Sequence, residues 1–301
     1  MKYLLLTAIL LFPISLKKVE LGLNLKKGET YSQAYTSKTM VTQNIYGTEQ
    51  VIEMEIFANM DYRVKKVKKD RYDLAVSYTN LKMKMGQPTG DLIFSSDGKR
   101  DDAASRLFAS MIDKEFDVEM LRNGRIVTIE NLDKLFDTMM ESFDDIPDAQ
   151  KEQLMASLKG AYGEEAFKGN IEMITAIFPD QAVEVGESWK NTIDLESGMA
   201  ATLANTFTLI EVNENEIRVD GISDFATKDQ DAYTDINGMP TKYNLSGTMK
   251  ASYALAPETN WVMEGVIEQD FSGDVEIKDN PRIPGGMTIP MKTETKMTVE
   301  R

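Results

Sequence analysis

The 301-residue chain contains no cysteine and no histidine. Without cysteine there are no disulfides, no zinc–thiolate centre, no thiol nucleophile and no residue for lipoprotein acylation. Without histidine the chain lacks the usual general base near neutral pH, the Ser–His–Asp triad and the commonest metal ligand. Paired carboxylates, Ser–Lys dyads and all-oxygen metal sites are the chemistries that survive. Basic charge is scarce as well: 34 Lys and Arg stand against 49 Asp and Glu, a net charge of −15. Nucleic acids and anionic lipid surfaces recruit basic patches, so neither is expected as a partner. The one basic cluster, VKKVKK at Val64–Lys69, alternates with valine and reads as the solvated end of a strand.

What is present suits a folded domain: 42% of residues are hydrophobic and 28% charged, too apolar for a disordered chain. Methionine is abundant at 19 residues, and its flexible thioether fits either core filling or an adaptable apolar surface. The N-terminus pairs Lys2 with an apolar run, Tyr3–Leu16. That run falls short of the ~20 residues of a spanning helix and matches a secretory signal, although Pro13 and Ser15 make a poor cleavage site. Residues 1–16 are therefore expected to be a signal segment and 17–301 a single β-rich domain. No transmembrane span is expected in the mature chain, which is placed outside the cytoplasm, periplasmic or secreted.

Beyond the leader the pattern is strict alternation. Val19, Leu21, Leu23 and Leu25 predict a first half-buried strand. Tyr31–Val41 and Val51–Met60 predict two more around Gly47, with Ile52, Met54, Ile56, Ala58 and Met60 on one face. The alternation slips between Tyr78 and Leu81, which predicts a β-bulge at Thr79–Asn80 and a strongly curved sheet. The middle of the chain turns to helical spacing at Ala104–Ile112 and at Leu132–Phe143, the latter with Asn131 as N-cap. Further helices are expected after Pro147, with Leu154, Met155 and Leu158 inward, and at Ile171–Phe178. Asn123–Gly124 between two β-rich runs predicts a two-residue type I′ hairpin turn. Long alternating runs then return, notably Tyr243–Leu255, Trp261–Phe271 and Met287–Met297. The expected class is α+β: a mainly antiparallel, strongly curved sheet or half-barrel with a helical insert, about residues 101–178, against one face.

The phrases LNLKKGETY (Leu23–Tyr31), KGNIEMITAIFP (Lys168–Pro179), FPDQAVEVGESW (Phe178–Trp189) and LAPETNWVMEGVIEQDFSGDVEI (Leu255–Ile277) resemble an uncharacterised family of bacterial secreted proteins, classed as a domain of unknown function. The resemblance implies an extracytoplasmic protein and supplies no catalytic residue. A looser, fold-level similarity is to periplasmic lipoprotein carriers, where a curved antiparallel sheet wraps helices around an apolar cavity.

Motifs with chemistry are thin. DAYTDINGMP does not fit an EF-hand: aligned on Gly238, Tyr233 and Asn244 stand where acids are needed, so Asp235, Asn237 and Gly238 read as a turn. Asp144 and Asp145 suit the N-terminus of the Pro147 helix better than a glycosidase pair. Ser157 and Lys159 fail the S-x-x-K spacing. No catalytic, cofactor or metal site is expected. The remaining candidate is an apolar groove under the curved sheet, lined by Met54, Ile56, Met83, Met85, Met139, Met140, Trp261 and Met263, for a lipid or other hydrophobic ligand. A non-enzymatic binding protein is the first expectation. An envelope scaffold using sheet edges or the acidic surface, partnered by an envelope protein, is the second, and a carboxylate-dependent hydrolase the third.

Overall fold

A computed structural model describes residues 18–86, 90–99, 102–141, 147, 155, 159, 163–197, 199–236 and 238–301. The expected signal segment, Asp144, Asp145, Ser157, Asn237 and most of the helix expected after Pro147 lie outside the described residues, as do the side chains of Met139 and Met140. The first half of the chain forms β1 (Thr30–Ile45), β2 (Thr48–Val67), β3 (Arg71–Met85), β4 (Leu92–Ser95), α1 (Ala103–Met111), β5 (Phe116–Leu121), β6 (Ile126–Glu130) and α2 (Leu132–Glu141). After α3 (Glu164–Thr175) come β7 (Ser188–Ser197), β8 (Met199–Val212), β9 (Ile217–Thr227), β10 (Thr234–Ile236), β11 (Met239–Leu255), β12 (Val262–Ile277) and β13 (Met287–Glu300).

All thirteen strands join one open, curved antiparallel sheet in the order β6-β5-β3-β2-β1-β13-β12-β11-β9-β8-β7, with β4 on β3 and β10 on β11. The first and last strands of the chain pair at the centre of the sheet, Ala34 opposite Glu300 through Gln43 opposite Met291. The two outer edges, β6 and β7, are thus the two strands that flank the α2–α3 crossing in sequence. Period-two burial sets the face of each strand: Met60, Tyr62 and Val64 on β2 and Leu74 and Val76 on β3 enter the main core, while their neighbours face outward. The expected bulge is present. Asn59 pairs with Asn80 and Met60 with Tyr78, so Thr79 is the extra residue, and a second shift follows at Val64–Lys66. Bulges increase local twist and bend, as a curved sheet requires.

Several expectations are corrected. Leu21, Leu23 and Leu25 are buried as the alternation demands, but the segment is no sheet strand. It makes one bridge, Val19 to Val183, then crosses the end of the sheet, Leu23 N donating to Arg122 O and Asn24 N to Thr259 O. The Asn123–Gly124 turn is a three-residue loop, closed by Leu121 N to Arg125 O and Gly124 N to Leu121 O. Gly124 alone takes positive φ, +83°, whereas a type I′ turn needs it at both central residues. Asn131 does hold the N-cap position of α2, its backbone oxygen accepting from Leu135 N, but with a left-handed backbone. Its φ is +69°, its side-chain Nδ2 donates to Asp117, and its Oδ1 accepts from Lys134 Nζ. The last helix ends at Thr175, and Ala176–Phe178 continue as buried chain without regular structure. The region expected as a helical insert is mixed, because β5 pairs with β3 and β5–β6 extend the sheet itself.

The segment from α3 to Phe178 ties both edges of the sheet. On the β6 side, Ile126 N donates to the buried Glu172 Oε1 at 2.7 Å, and Thr175 Oγ1 donates to Gly124 O at 2.7 Å. On the β7 side, Asn191 Nδ2 donates to Ala176 O and Trp189 Nε1 to Ile177 O at 3.1 Å. Arg125 Nη2 spans the two edges directly, reaching Thr192 O at 2.8 Å. Of these bonds, those to Ile126 N on β6 and Thr192 O on β7 satisfy backbone edge groups that would otherwise be open to another chain.

Two predictions follow from this seam. A Cβ on Gly124 would lie 1.6 Å from Thr175 O, at a positive φ that disfavours any side chain. Gly124→Ala is expected to cost more than ~2 kcal/mol in a urea melt, whereas Gly28→Ala, with open space around it, should cost less. Burial raises the Glu172 carboxyl above its ordinary 4.5, opposed in part by the Ile126 N–H and by the charges of Arg125 and Lys168. The folded state therefore binds that proton more tightly than the unfolded state. This group weakens the fold at neutral pH, and the penalty fades as pH falls toward 4.5. Glu172→Gln keeps an acceptor for Ile126 N, so its stability relative to the parent should rise as pH increases from about 4.5 to neutral; a pH-independent difference in urea melts would contradict the assignment.

Candidate functional site

One cross-strand row defines the core-facing side of the sheet. Met83 faces Ile56, Ile56 faces Ser37, Ser37 faces Met297 and Met297 faces Ile267. The row continues through Ala251, Gly221 and Phe207 to Trp189. Burial changes along it. Ile267, Ala251 and Phe207 are fully or almost fully buried, whereas Met83, Ile56, Ser37 and Met297 are half-buried. The next row repeats the gradient: Met85, Met54, Thr39, Thr295 and Gln269 are half-buried, and Met249, Ser223 and Asn205 are buried. The buried half has an identifiable cover. Helix α3 contacts β6, β7 and β12, and Gln269 Nε2 donates to Met173 Sδ of α3 and to Met249 Sδ.

Four of the sequence candidates therefore come together. Met54 lies opposite Met85 and Ile56 opposite Met83, on the same face as Met60 and Tyr62. Trp261 does not join them. It is 1% exposed and packed at 5.3 Å against the Tyr31 ring and 5.2 Å against the Tyr62 ring. Tyr62 lies eight residues along β2 from Met54, about 26 Å at the rise of a strand. Met263 sits at that far end too, as the bulged residue between the Leu255–Val262 and Ala254–Glu264 pairs.

Around Trp261 the core holds a polar network that sequence reading missed. Tyr35 OH donates to Gln33 Oε1 and meets Tyr62 OH at 2.8 Å, while Gln33 Nε2 donates to Val262 O at 3.3 Å. Burial pushes the Tyr35 and Tyr62 phenols well above their ordinary range, so both remain neutral hydrogen-bonding groups. Alternation places these residues inward, but no spacing rule reveals that their polar ends meet. A second network runs from Ser223 Oγ to Asn205, from Asn205 Nδ2 to Asn191 Oδ1 at 2.8 Å, and from Asn191 to the chain leaving α3.

The opposite face of the sheet is charged. A concavity of about 690 Å³ crosses it, bordered by the cross-strand row Lys84, Glu55, Lys38, Lys296, Glu268 and Lys250. Lys38 pairs with Glu55 at 3.2 Å, Lys296 with Glu268 at 3.1 Å and Lys84 with Asp91 at 2.8 Å. Exposed pairs of this kind each contribute little to stability. Met54, Thr39, Thr295 and Gln269 of the core-facing row also line this concavity.

A smaller cleft of about 320 Å³ opens at the seam, where the β5–β6 loop, the Phe178–Ala182 segment, β7 and Lys18 converge. Asn123, Arg125, Asp180, Gln181, Glu187, Trp189 and Lys190 line it. Among the described residues, no group of three or more acids is arranged to hold a metal ion, and no helix is long and apolar enough to cross a membrane.

No curated protein matches the chain. Among solved structures it is similar to the COG4313 outer membrane channel from Pseudomonas putida F1, at 6% identity over 96% of this chain and 98% of that one, with a TM-score of 0.24. It is also similar to a DUF1329 family protein from Desulfovibrio piger, at 9% identity over 89% and 85%, with a TM-score of 0.13. Scores this low transfer neither architecture nor role. The match that identifies the chain is to a sequence family: residues 69–262, which hold β3 through the start of β12 together with the whole seam from Gly124 to Asn191, fit its model, and the protein belongs to the family of unknown function DUF6263.

Proposed function

We propose that this protein is an extracytoplasmic, non-enzymatic binding protein that holds a lipid or other hydrophobic molecule against the core-facing side of its half-barrel sheet, at Met54, Ile56, Met83 and Met85. The observation that carries this reading is the burial gradient along single cross-strand rows. In these two rows the face is closed from Ile267 and Met249 to Phe207 and Asn205 and half-open over β1–β3 and β13, and there it presents methionine and isoleucine. Mostly apolar concave surfaces suit hydrophobic ligands, and unbranched methionine adapts to chains of varied shape. The leader-like residues 1–16 motivate the extracytoplasmic placement, and the absence of histidine and cysteine motivates the non-enzymatic role.

A second reading, an envelope interaction module, draws on a different feature. Strand β3 pairs with β2 only from Met54 onward and Gly86 N bonds to Glu53 O, so among the described residues Thr48–Ile52 ladder with β1 alone. Val51 and Ile52 are exposed on this stretch. An extended peptide of a partner is the ligand such an edge accepts.

Native mass spectrometry of the protein purified from its own envelope separates the two. The binding reading expects a released hydrophobic molecule, with occupancy falling at least severalfold in Ile56→Asp and in the milder Met83→Gln. A clean organic extract from a folded protein would sink it, and a co-purifying protein lost on Val51→Pro would favour the second reading instead.

A further inference from the structure

The half-open part of the core-facing side carries no charge. The two rows that run from Met83 and Met85 to Ala251 and Met249, and the row on either side of them, contain no Lys, Arg, Asp or Glu. In a closed core that would be ordinary. Here Met83, Met85, Met54, Ile56, Ser37, Thr39, Thr295 and Met297 are only half-buried. The other face meets its exposure differently, with the alternating charges of Lys84, Glu55, Lys38, Lys296, Glu268 and Lys250.

One uncharged row is also patterned. Met85, Met54, Thr39, Thr295, Gln269 and Met249 stand opposite one another in turn, so methionines flank three hydrogen-bonding side chains. Gln269 donates to Met173 of α3, so the row faces the side that α3 covers. Thr39 Oγ1 and Thr295 Oγ1 meet at 3.0 Å, and a hydroxyl pair that shares one hydrogen keeps the other to donate. The Gln269 amide directs Nε2 at two thioethers, which are weak acceptors, and its Oε1 accepts no hydrogen bond among the described residues.

We propose, building on the binding reading above, that the molecule held on this face is an uncharged lipid. Its polar group, a hydroxyl, ester or amide, sits on Thr39, Thr295 and Gln269, and its hydrocarbon lies over Met54, Ile56, Met83 and Met85. Hydroxyl and amide side chains both donate and accept, so they match any of these groups. Thr39 to Gln269 spans two strand spacings, about 10 Å, which is room for a small polar linkage. A carboxylate or phosphate placed there would leave water without a cation to meet it, which is costly. A net charge of −15 also opposes the approach of an anion.

Displacement of the uncharged dye Nile red from the full protein, with all lipids below their micelle-forming concentration, tests this. The probes share one chain: monopalmitoylglycerol, ionised palmitate and palmitoyl lysophosphatidate. The first is expected to bind at least tenfold more tightly than either anion. Thr39→Val and Thr295→Val keep the side-chain shape and remove one hydroxyl, so each should weaken monopalmitoylglycerol at least threefold. Gln269→Lys should raise the affinity for palmitate at least tenfold. Thr248→Val, the same change on the opposite face, should bind all three as the parent does. If either anion binds as tightly as monopalmitoylglycerol, or both Thr→Val variants near the centre of the row bind it unchanged, this inference is overturned while the binding reading stands. If none of the three lipids binds, both fall together.

Discussion

An open antiparallel sheet has two edges, and the rest of this structure depends on how those two edges are satisfied. Strands β6 and β7 do not pair with each other; each hydrogen-bonds instead to the short stretch from Glu172 to Ile177. The stretch works because it offers different groups on its two sides. The helical end supplies a carboxylate and a hydroxyl, matched to the Ile126 N–H and the Gly124 carbonyl. The end beyond Thr175 supplies carbonyls, matched to side-chain donors of Asn191 and Trp189. Placing a carboxylate in the core costs desolvation, so Glu172 is retained against its own energetic penalty. Removing it altogether would leave a buried edge N–H without an acceptor, a comparable loss.

The chain order makes this closure necessary. The first and last strands meet in the middle of the sheet, so the halves grow outward from β1 and β13. The connection between halves must then run from one outer edge to the other. Helix α3 is that connection, and the N-terminal segment lies across the same end, with Val19 bridging to Val183 and Leu23 N bonding to Arg122 O. Hairpin tip, helix exit and N-terminal segment are packed into one place because topology sends all three there. The seam cleft is the space left between them.

How much of this was legible in the sequence follows from which interactions are local. Alternation gave the faces of β2, β3, β11 and β12, and the slip between Tyr78 and Leu81 gave the bulge at Thr79, because side-chain parity is a local property. Leu21, Leu23 and Leu25 show the limit: parity reported burial correctly, but burial does not require a ladder partner, so the inferred strand was not one. At Asn123–Gly124 the dipeptide pointed to a reversal, while the turn type was set by a long-range contact. Gly124 packs against the Thr175 carbonyl, 51 positions away, which no hairpin rule contains. Of the apolar candidates, Met54, Ile56, Met83 and Met85 cluster because neighbouring strands keep register, whereas Trp261 belongs to the opposite end of the same strands. Composition could not separate the two groups, since both are simply apolar and inward.

The half-open face is a consequence of the same geometry. Helix α3 has 12 residues, a length of about 18 Å. Eleven strands in a continuous path span about 48 Å at ordinary strand spacing. Helix α3 touches both edges and, through Met173 and Gln269, reaches in as far as β12. Helices α1 and α2 are shorter still and sit by β3, β4 and β5. On β2, β1 and β13 burial is complete toward Tyr62, Gln33 and Val299 and falls to half at Met54, Ile56, Ser37 and Met297. The half-open stretch therefore lies along the central strands away from the Trp261 cluster, which closes their other end.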